Sequence, residues 1–289
     1  MENVLEIENL SKTYPGFNLN NINLKIPKGT VMGLIGENGA GKSTTIKLIL
    51  NELNRESGNI KVFGLDNIKD EQKIKSDIGV VLADSFLSEY FNAKDISKTM
   101  KHFYNNWDEK LYFNYLKEFN LPDNKQIKDF STGMKMKLQI ITALSHHPKF
   151  LILDEPTSGL DPIARNEILD IFRNFIEDDE HSIFISSHIT SDLEHIADYI
   201  TFISEGEIVF TNTCDELLES YGIAKCTKEE FESIEKSDYI RYRENKYDYE
   251  LLIQDKAKFI KKYGLEVIDK PSLEDIMVIY IKGVKNNEK

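Results

Sequence analysis

A chain of 289 residues with net charge −13, 40% hydrophobic and 29% charged residues has the length for one large domain plus a small one. That charge argues against a nucleic-acid surface, which needs clustered Lys and Arg, and no run approaches the ~20 consecutive apolar residues of a membrane span. The acidic N-terminus does not read as a signal peptide, and Cys214 and Cys226, without metal-ligand or CxxC spacing, read as reduced cytosolic thiols.

Residues 2–30 alternate apolar and polar positions, as in Asn23-Leu-Lys-Ile26, and predict antiparallel strands. Val31-Met-Gly-Leu-Ile35 reads as a short buried strand and Thr44–Leu50 as a buried helix. Between them Gly36-Glu-Asn-Gly-Ala-Gly41-Lys42-Ser43 matches G-x-x-x-x-G-K-[ST] in the strand–loop–helix context that motif requires. The glycines let backbone N–H groups wrap phosphates, the helix N-terminus adds partial positive charge, and Lys42 adds a full one. Ser43 offers a hydroxyl to Mg²⁺. The expected ligand is a nucleoside triphosphate.

Two more strands are expected around Ile60–Phe63 and Ile78–Leu82. Residues 86–146 then turn aromatic and helical, with segments near Ala93–Tyr104, Asp108–Phe119 and Gly133–His146. Trp107, Tyr112, Phe113 and Tyr115 read mainly as core. Ser131 can cap the third helix, and with Gly133 it makes a helix N-terminus suited to an anion. It has no obvious reach to phosphates held by its own Lys42, which implies a second copy of the chain. His146-His147, before Pro148, reads as a loop or helix end rather than a metal pair.

The run Phe150-Leu-Ile-Leu-Asp-Glu-Pro-Thr-Ser-Gly-Leu-Asp-Pro162 opens as a buried parallel strand and ends in two adjacent carboxylates, Asp154 and Glu155. Ligands bind at the carboxyl ends of such strands. One carboxylate can hold Mg²⁺ through water while its neighbour activates another water. A further apolar strand ends in Ile185-Ser-Ser-His188, and Ile200–Ile203 with Ile208–Phe210 form a hairpin around Glu205-Gly206. Asp215–Tyr221 is expected as a helix closed by Gly222. Beyond it, Tyr239–Arg243 and Tyr247–Ile253 predict a hairpin, Lys256–Lys262 a helix ending at Gly264, Leu265–Ile268 a strand and Ser272–Lys282 a last helix.

Together these motifs resemble the ATP-binding subunits of ABC transporters over most of residues 2–222. The resemblance implies an α/β P-loop NTPase fold with an antiparallel β subdomain and a helical subdomain over about 86–146, followed by a small C-terminal α+β accessory domain over 223–289. Gly36, Glu37, Asn38, Gly39, Ala40, Gly41, Lys42, Ser43 and Thr44 then form the Walker A loop, with Tyr14 as the ring against adenine. Leu151–Asp154 is Walker B, Ser43 and Asp154 hold Mg²⁺, Glu155 is the general base, and His188 senses the γ-phosphate. Phe130–Met134 stands for the family signature, with Thr132 and Met134 departing from its usual Leu-Ser-Gly-Gly-Gln. Ser131 and Gly133 contact the ATP of a partner copy, and Asp161 lies in the loop that crosses the interface. Ala83 replaces the family's usual Gln, and Asp84 beside it is a water-mediated substitute. The resemblance further implies ATP and Mg²⁺ as ligands, a homodimer, and a separate transmembrane permease. It places the chain in the cytoplasm, against the inner face of the membrane. The signature and the tail Pro271–Met277 are similar to ABC-2 type bacterial exporters, including ATPases that move antimicrobial peptides or phenol-soluble modulins. The rivals are a soluble ATPase not coupled to transport, which lacks support because no sustained heptads appear, and a nucleotide-sensing module of low turnover. Intact Asp154, Glu155 and His188 speak against the second.

Overall fold

The computed structural model describes residues 2–83, 87–264 and 268–285. The chain opens with β1 (Asn3–Tyr14) and β2 (Phe17–Pro27), paired antiparallel, and enters the central sheet through β3 (Val31–Ile35). Then follow α1 (Lys42–Ile49), β4 (Ser57–Val62), β5 (Leu65–Asp66), α2 (Glu71–Asp77) and β6 (Ile78–Val81). The helical region holds α3 (Ala93–Phe103), α4 (Glu109–Glu118) and α5 (Thr132–Leu144). The chain returns to the sheet with β7 (Phe150–Asp154), α6 (Pro162–Ile176), β8 (Ser182–Ser187), α7 (Thr190–Ile196), β9 (Tyr199–Ser204) and β10 (Glu207–Thr213). After α8 (Cys214–Glu219) come β11 (Gly222–Cys226), α9 (Lys228–Ser233), β12 (Arg241–Glu244) and β13 (Tyr249–Ile253). The last elements are α10 (Lys256–Tyr263), β14 (Ile268–Asp269), α11 (Leu273–Lys282) and β15 (Val284–Lys285).

The central sheet has the order β10-β9-β3-β8-β7-β6, parallel except for β10 at its edge. Strands β3, β7 and β8 are buried at every position, as strands covered on both faces must be. Their register sets the site. Ile35 pairs with Ser187, and Asp154 pairs with Ser186, so three strands end side by side at one edge. The smaller sheet, β2-β1-β4-β5, packs its apolar face on α1 and the central strands in one core with Ile46, Phe150 and Phe184.

Helices α3 to α5 surround a separate core in which Tyr112 is fully buried and donates its hydroxyl to Ala93 O at 3.1 Å. Trp107, Phe113 and Tyr115 pack against this core, so the aromatic content of the region is structural. Helix α5 faces two ways: Leu138 and Ile141 enter the helical core, while Met136, Ile140 and Leu144 enter the main one. His146, just past its end, bonds Ile78 O through Nε2 at 2.9 Å and stacks on Tyr104 at 4.0 Å. It is a helix-end tie between the two cores, as its sequence context suggests.

The C-terminal sheet, β14-β11-β13-β12-β15, is antiparallel throughout. Alternation along its strands feeds two cores. Ile223 and Leu252 face the main core, whereas Ala224, Leu251 and Ile253 face a local one with Phe259. The expected helix closure at Gly222 is corrected: α8 ends at Glu219 with Ser220 as its cap, and Gly222 opens β11 opposite Ile253. The extended backbone prevails because Ala224 must be buried against β13. Of the strand expected at Leu265–Ile268, residues 265–267 lie outside the described residues. Cys214 and Cys226 are buried and unpaired, and burial pushes both thiols up to about 11.

Two predictions follow from this packing. Burial holds the His146 imidazole below its ordinary 6.5, so the unfolded chain takes up that proton first. Stability from this group is complete above pH 6.5 and is lost as the pH falls through 6.5 towards the lower folded value. Urea titrations across that range will show His146→Gln losing less stability on acidification than the parent. The second concerns Gly206, whose φ is +79 and whose added Cβ would stand 1.8 Å from Asn18 O. Gly206→Ala costs at least ~2 kcal/mol in the same titration, against ~1 kcal/mol for Ala at a left-handed glycine in open space. Gly159, with φ +70 and nothing within 4 Å, is that control.

Candidate functional site

The glycine loop joins β3 to α1. Gly41, the N-cap of α1, has φ +116 and provides no side-chain cap, which leaves the helix N-terminus turned to a ligand. At Gly36 a Cβ would lie 2.3 Å from Ile203 O, so no larger residue lets the loop lie this close to β9. Lys42 folds back under the loop and is only 6% exposed. Its Nζ donates to Gly36 O at 2.8 Å and Glu37 O at 3.3 Å, and lies 3.4 Å from Glu155 Oε1.

Asp154 ends β7, buried, with the Ser186 hydroxyl donating to its Oδ1 at 2.6 Å. Glu155 is the next residue. Its φ of +52 is left-handed, a costly conformation for a side chain of this size. The peptide N–H of Glu155 donates to Ser186 O and Ser186 Oγ, both at 3.1 Å, which holds that turn in place. From that turn the Glu155 carboxylate meets partners that Asp154 does not share. Oε1 faces Lys42, while Oε2 accepts the His188 backbone N–H at 3.2 Å and meets the His188 ring through Nδ1. Lys42 of α1 and His188, just past β8, thus meet on one carboxylate at the end of β7.

They share the wall of a cleft of about 740 Å³. Glu37, Asn38, Gly39, Gly41, Lys42, Ser43 and Thr44 line it with Glu155 and His188. Gly36 and Asp154 stand behind that wall, through Lys42 and Ser186 respectively. Tyr14 and Ala40 line an adjoining cavity of about 470 Å³. Ser131, Gly133 and Asp161 line neither cavity. Ser131 caps α5 by accepting the Met134 N–H at 3.2 Å, and Asp161 caps α6 by accepting Ile163 N–H at 3.0 Å and Ala164 N–H at 3.1 Å. Gly133 faces the Ala164 methyl group, where a Cβ would be 3.2 Å away. From the signature segment Thr132 reaches the cleft instead, as does Met136 two residues beyond it. Ala83 also lines it, whereas Asp84 lies outside the described residues.

Sequence reasoning missed two residues. Phe17 lines both cavities and would touch any side chain placed at Gly41, at 3.1 Å. Its only sequence signal was an aromatic ring close to Tyr14. Ser186 holds the Asp154 carboxylate and the Glu155 backbone N–H, and its signal was a hydroxyl two residues before His188 at the end of a buried strand.

A family model described as ABC transporter matches residues 19–158. The lantibiotic transport ATP-binding protein SrtF of Streptococcus pyogenes is 41% identical over 216 residues, covering 73% of this chain and 92% of that protein. The bacitracin transport ATP-binding protein BcrA of Enterococcus faecalis is 37% identical over 224 residues, covering 75% of this chain and 71% of that protein. A solved ATP-binding subunit of an ABC transporter superposes with a TM-score of 0.66 at 27% identity, over 74% of this chain and 91% of that one. The chain belongs to the ATP-binding subunits of ABC transporters, and is an ATPase that couples hydrolysis to transport.

Proposed function

We propose that this chain is the motor of a bacterial peptide exporter, in which two copies close head to tail around two ATP and pull on a separate membrane subunit. One observation carries the reading: the cleft of a single copy gathers Lys42, Ser43, Glu155 and His188 but not Ser131, Gly133 or Asp161. Ser131 and Gly133 flank Thr132 at the N-terminus of α5, and Asp161 caps α6, positions that a second copy can use. In that assembly Lys42 leaves the Gly36 and Glu37 carbonyls for the β- and γ-phosphates. Tyr14 and Phe17 pack against the base. Glu155 polarises a water whose oxygen attacks the γ-phosphorus while the bond to the bridging β–γ oxygen breaks. Glu155 takes that water's proton, and ADP and inorganic phosphate are left. His188 holds the γ-phosphate and the water in line.

Among the described residues no three His, Cys, Asp or Glu side chains could hold a metal by themselves. Mg²⁺ keeps waters and substrate phosphates as ligands and takes only one or two from the protein. Ser43 and Asp154 would hold it, and both offer hard oxygen donors. Bound there, it neutralises phosphate charge as ADP leaves.

The names of SrtF and BcrA attach them to lantibiotic and bacitracin transport, which supports a peptide cargo here. No helix among the described residues is long and apolar enough to cross a membrane. The names of SrtF and BcrA as transport ATP-binding proteins support a separate permease for the passage, with this chain at the inner membrane face. The helical region around α3 to α5 carries the motion outward.

Glu155→Gln will keep ATP binding, accumulate an ATP-dependent dimer on size exclusion, and lose ~10²–10⁴ in turnover. Wild-type hydrolysis in that variant would remove Glu155 from the role of base. Calorimetric titration with ATP tests the base platform. Tyr14→Ala and Phe17→Ala each weaken binding, by ~1–3 kcal/mol per ring lost from a base stack. The larger loss is expected at Phe17, which borders both cavities. Unchanged affinity in both variants would place the base elsewhere.

A further inference from the structure

The helix that follows His188 is short. Helix α7 begins at Thr190 and ends at Ile196, too few residues to hold a helix without outside contacts. Two contacts grip it from opposite directions. On one side is Arg165 of α6, four residues after Asp161. Its Nε donates to Asp192 Oδ1 at 2.5 Å and its Nη2 to Ser191 Oγ at 2.8 Å. Asp192 is 2% exposed and among the described residues its Oδ2 has no hydrogen-bond partner, so Arg165 carries the burden of neutralising a buried charge. On the other side is the C-terminal region. The backbone N–H of Leu273, in the first turn of α11, donates to Glu194 Oε1 at 2.7 Å. Leu193 shares a core with Leu273, Ile276 and Ile279 of that helix.

Helix α11 is itself anchored. Tyr280 packs on Phe202 and Phe210 at ring separations of 5.6 and 5.1 Å, and the Arg241 guanidinium of β12 lies 5.2 Å from the Tyr280 ring. Arg241 also donates to Gly283 O at 3.1 Å. The C-terminal sheet is thereby fastened to the helix that carries the His188 loop.

We infer that the C-terminal region positions His188: α11, through Glu194, closes a clamp on α7 whose other jaw is Arg165. The inference rests on the reading of His188 as the γ-phosphate contact. Glu194 and Arg165 are positioning residues, since they act on the substrate only through that histidine. The clamp also joins the loop at Asp161 to the His188 loop. Residues 223–285 then act on turnover rather than on nucleotide affinity.

The test uses the full-length chain. ADP lacks the γ-phosphate, so its affinity reports the glycine loop and Lys42 but not the His188 loop. Glu194→Ala should lower kcat for ATP hydrolysis by about fivefold, the factor that goes with losing one helix-capping contact, with an unchanged Kd for ADP. Glu194→Gln, whose amide oxygen still accepts the Leu273 N–H, should restore most of the rate. In a His188→Ala background, Glu194→Ala should have no further effect, because both changes act through one residue. Unchanged kcat in Glu194→Ala, a parallel loss of ADP affinity, or additive losses in the double variant would overturn the clamp. Unchanged turnover in His188→Ala alone would instead remove the reading on which it rests.

Discussion

Everything at the site depends on the parallel register of β3, β8 and β7. Pairing of Ile35 with Ser187 and of Asp154 with Ser186 ends three strands at one level. Slipping one strand by a residue would send its buried side chains to the opposite face. It would also separate Asp154 from the Ser186 hydroxyl that holds it. The register is costly to shift because β3, β7 and β8 are buried on both faces. Packing of apolar residues far from the cleft thus fixes the distances within it.

Local strain completes what register begins. The left-handed turn at Glu155, φ +52, is held by the Ser186 carbonyl and hydroxyl, which accept the same N–H. The two carboxylates differ in surroundings. Asp154 is buried against a hydroxyl, whereas Glu155 lies between a lysine and a histidine. Two acids of the same charge are thereby given different neighbours, which is the condition for different roles. The net charge of −13 repels any polyphosphate at long range, so attraction has to come from the loop amides and Lys42 at close quarters.

How much of this the sequence discloses depends on distance along the chain. The glycine loop, the buried strands and helices α3 to α5 declare themselves through motif and periodicity, and their ends fall within two residues of expectation. Helix α9 is also legible in principle, since Thr227 and Glu230 have the residue types and spacing of the capping box they form. Strand β11 was not, because Gly222 after a helical run points equally to a C-cap. The choice is made by β13, some thirty residues on, which buries Ala224. The φ of Glu155 leaves no trace in composition. Nor does the position of Phe17, which becomes meaningful only once the hairpin is folded over Gly41.

The C-terminal region illustrates the same limit most fully. Its strands and helices can be read one by one from alternation and caps, and that reading suggests an accessory unit with its own core. The alternation that builds the local core on one face of β11 and β13 places Ile223 and Leu252 on the other face, inside the main core. Helix α11 then fills the space between α7 and the β9–β10 hairpin with Leu273, Ile276 and Tyr280. A unit joined through shared apolar side chains cannot move without disturbing the strands and helices it covers. Those include Leu193 of α7, the helix directly after His188.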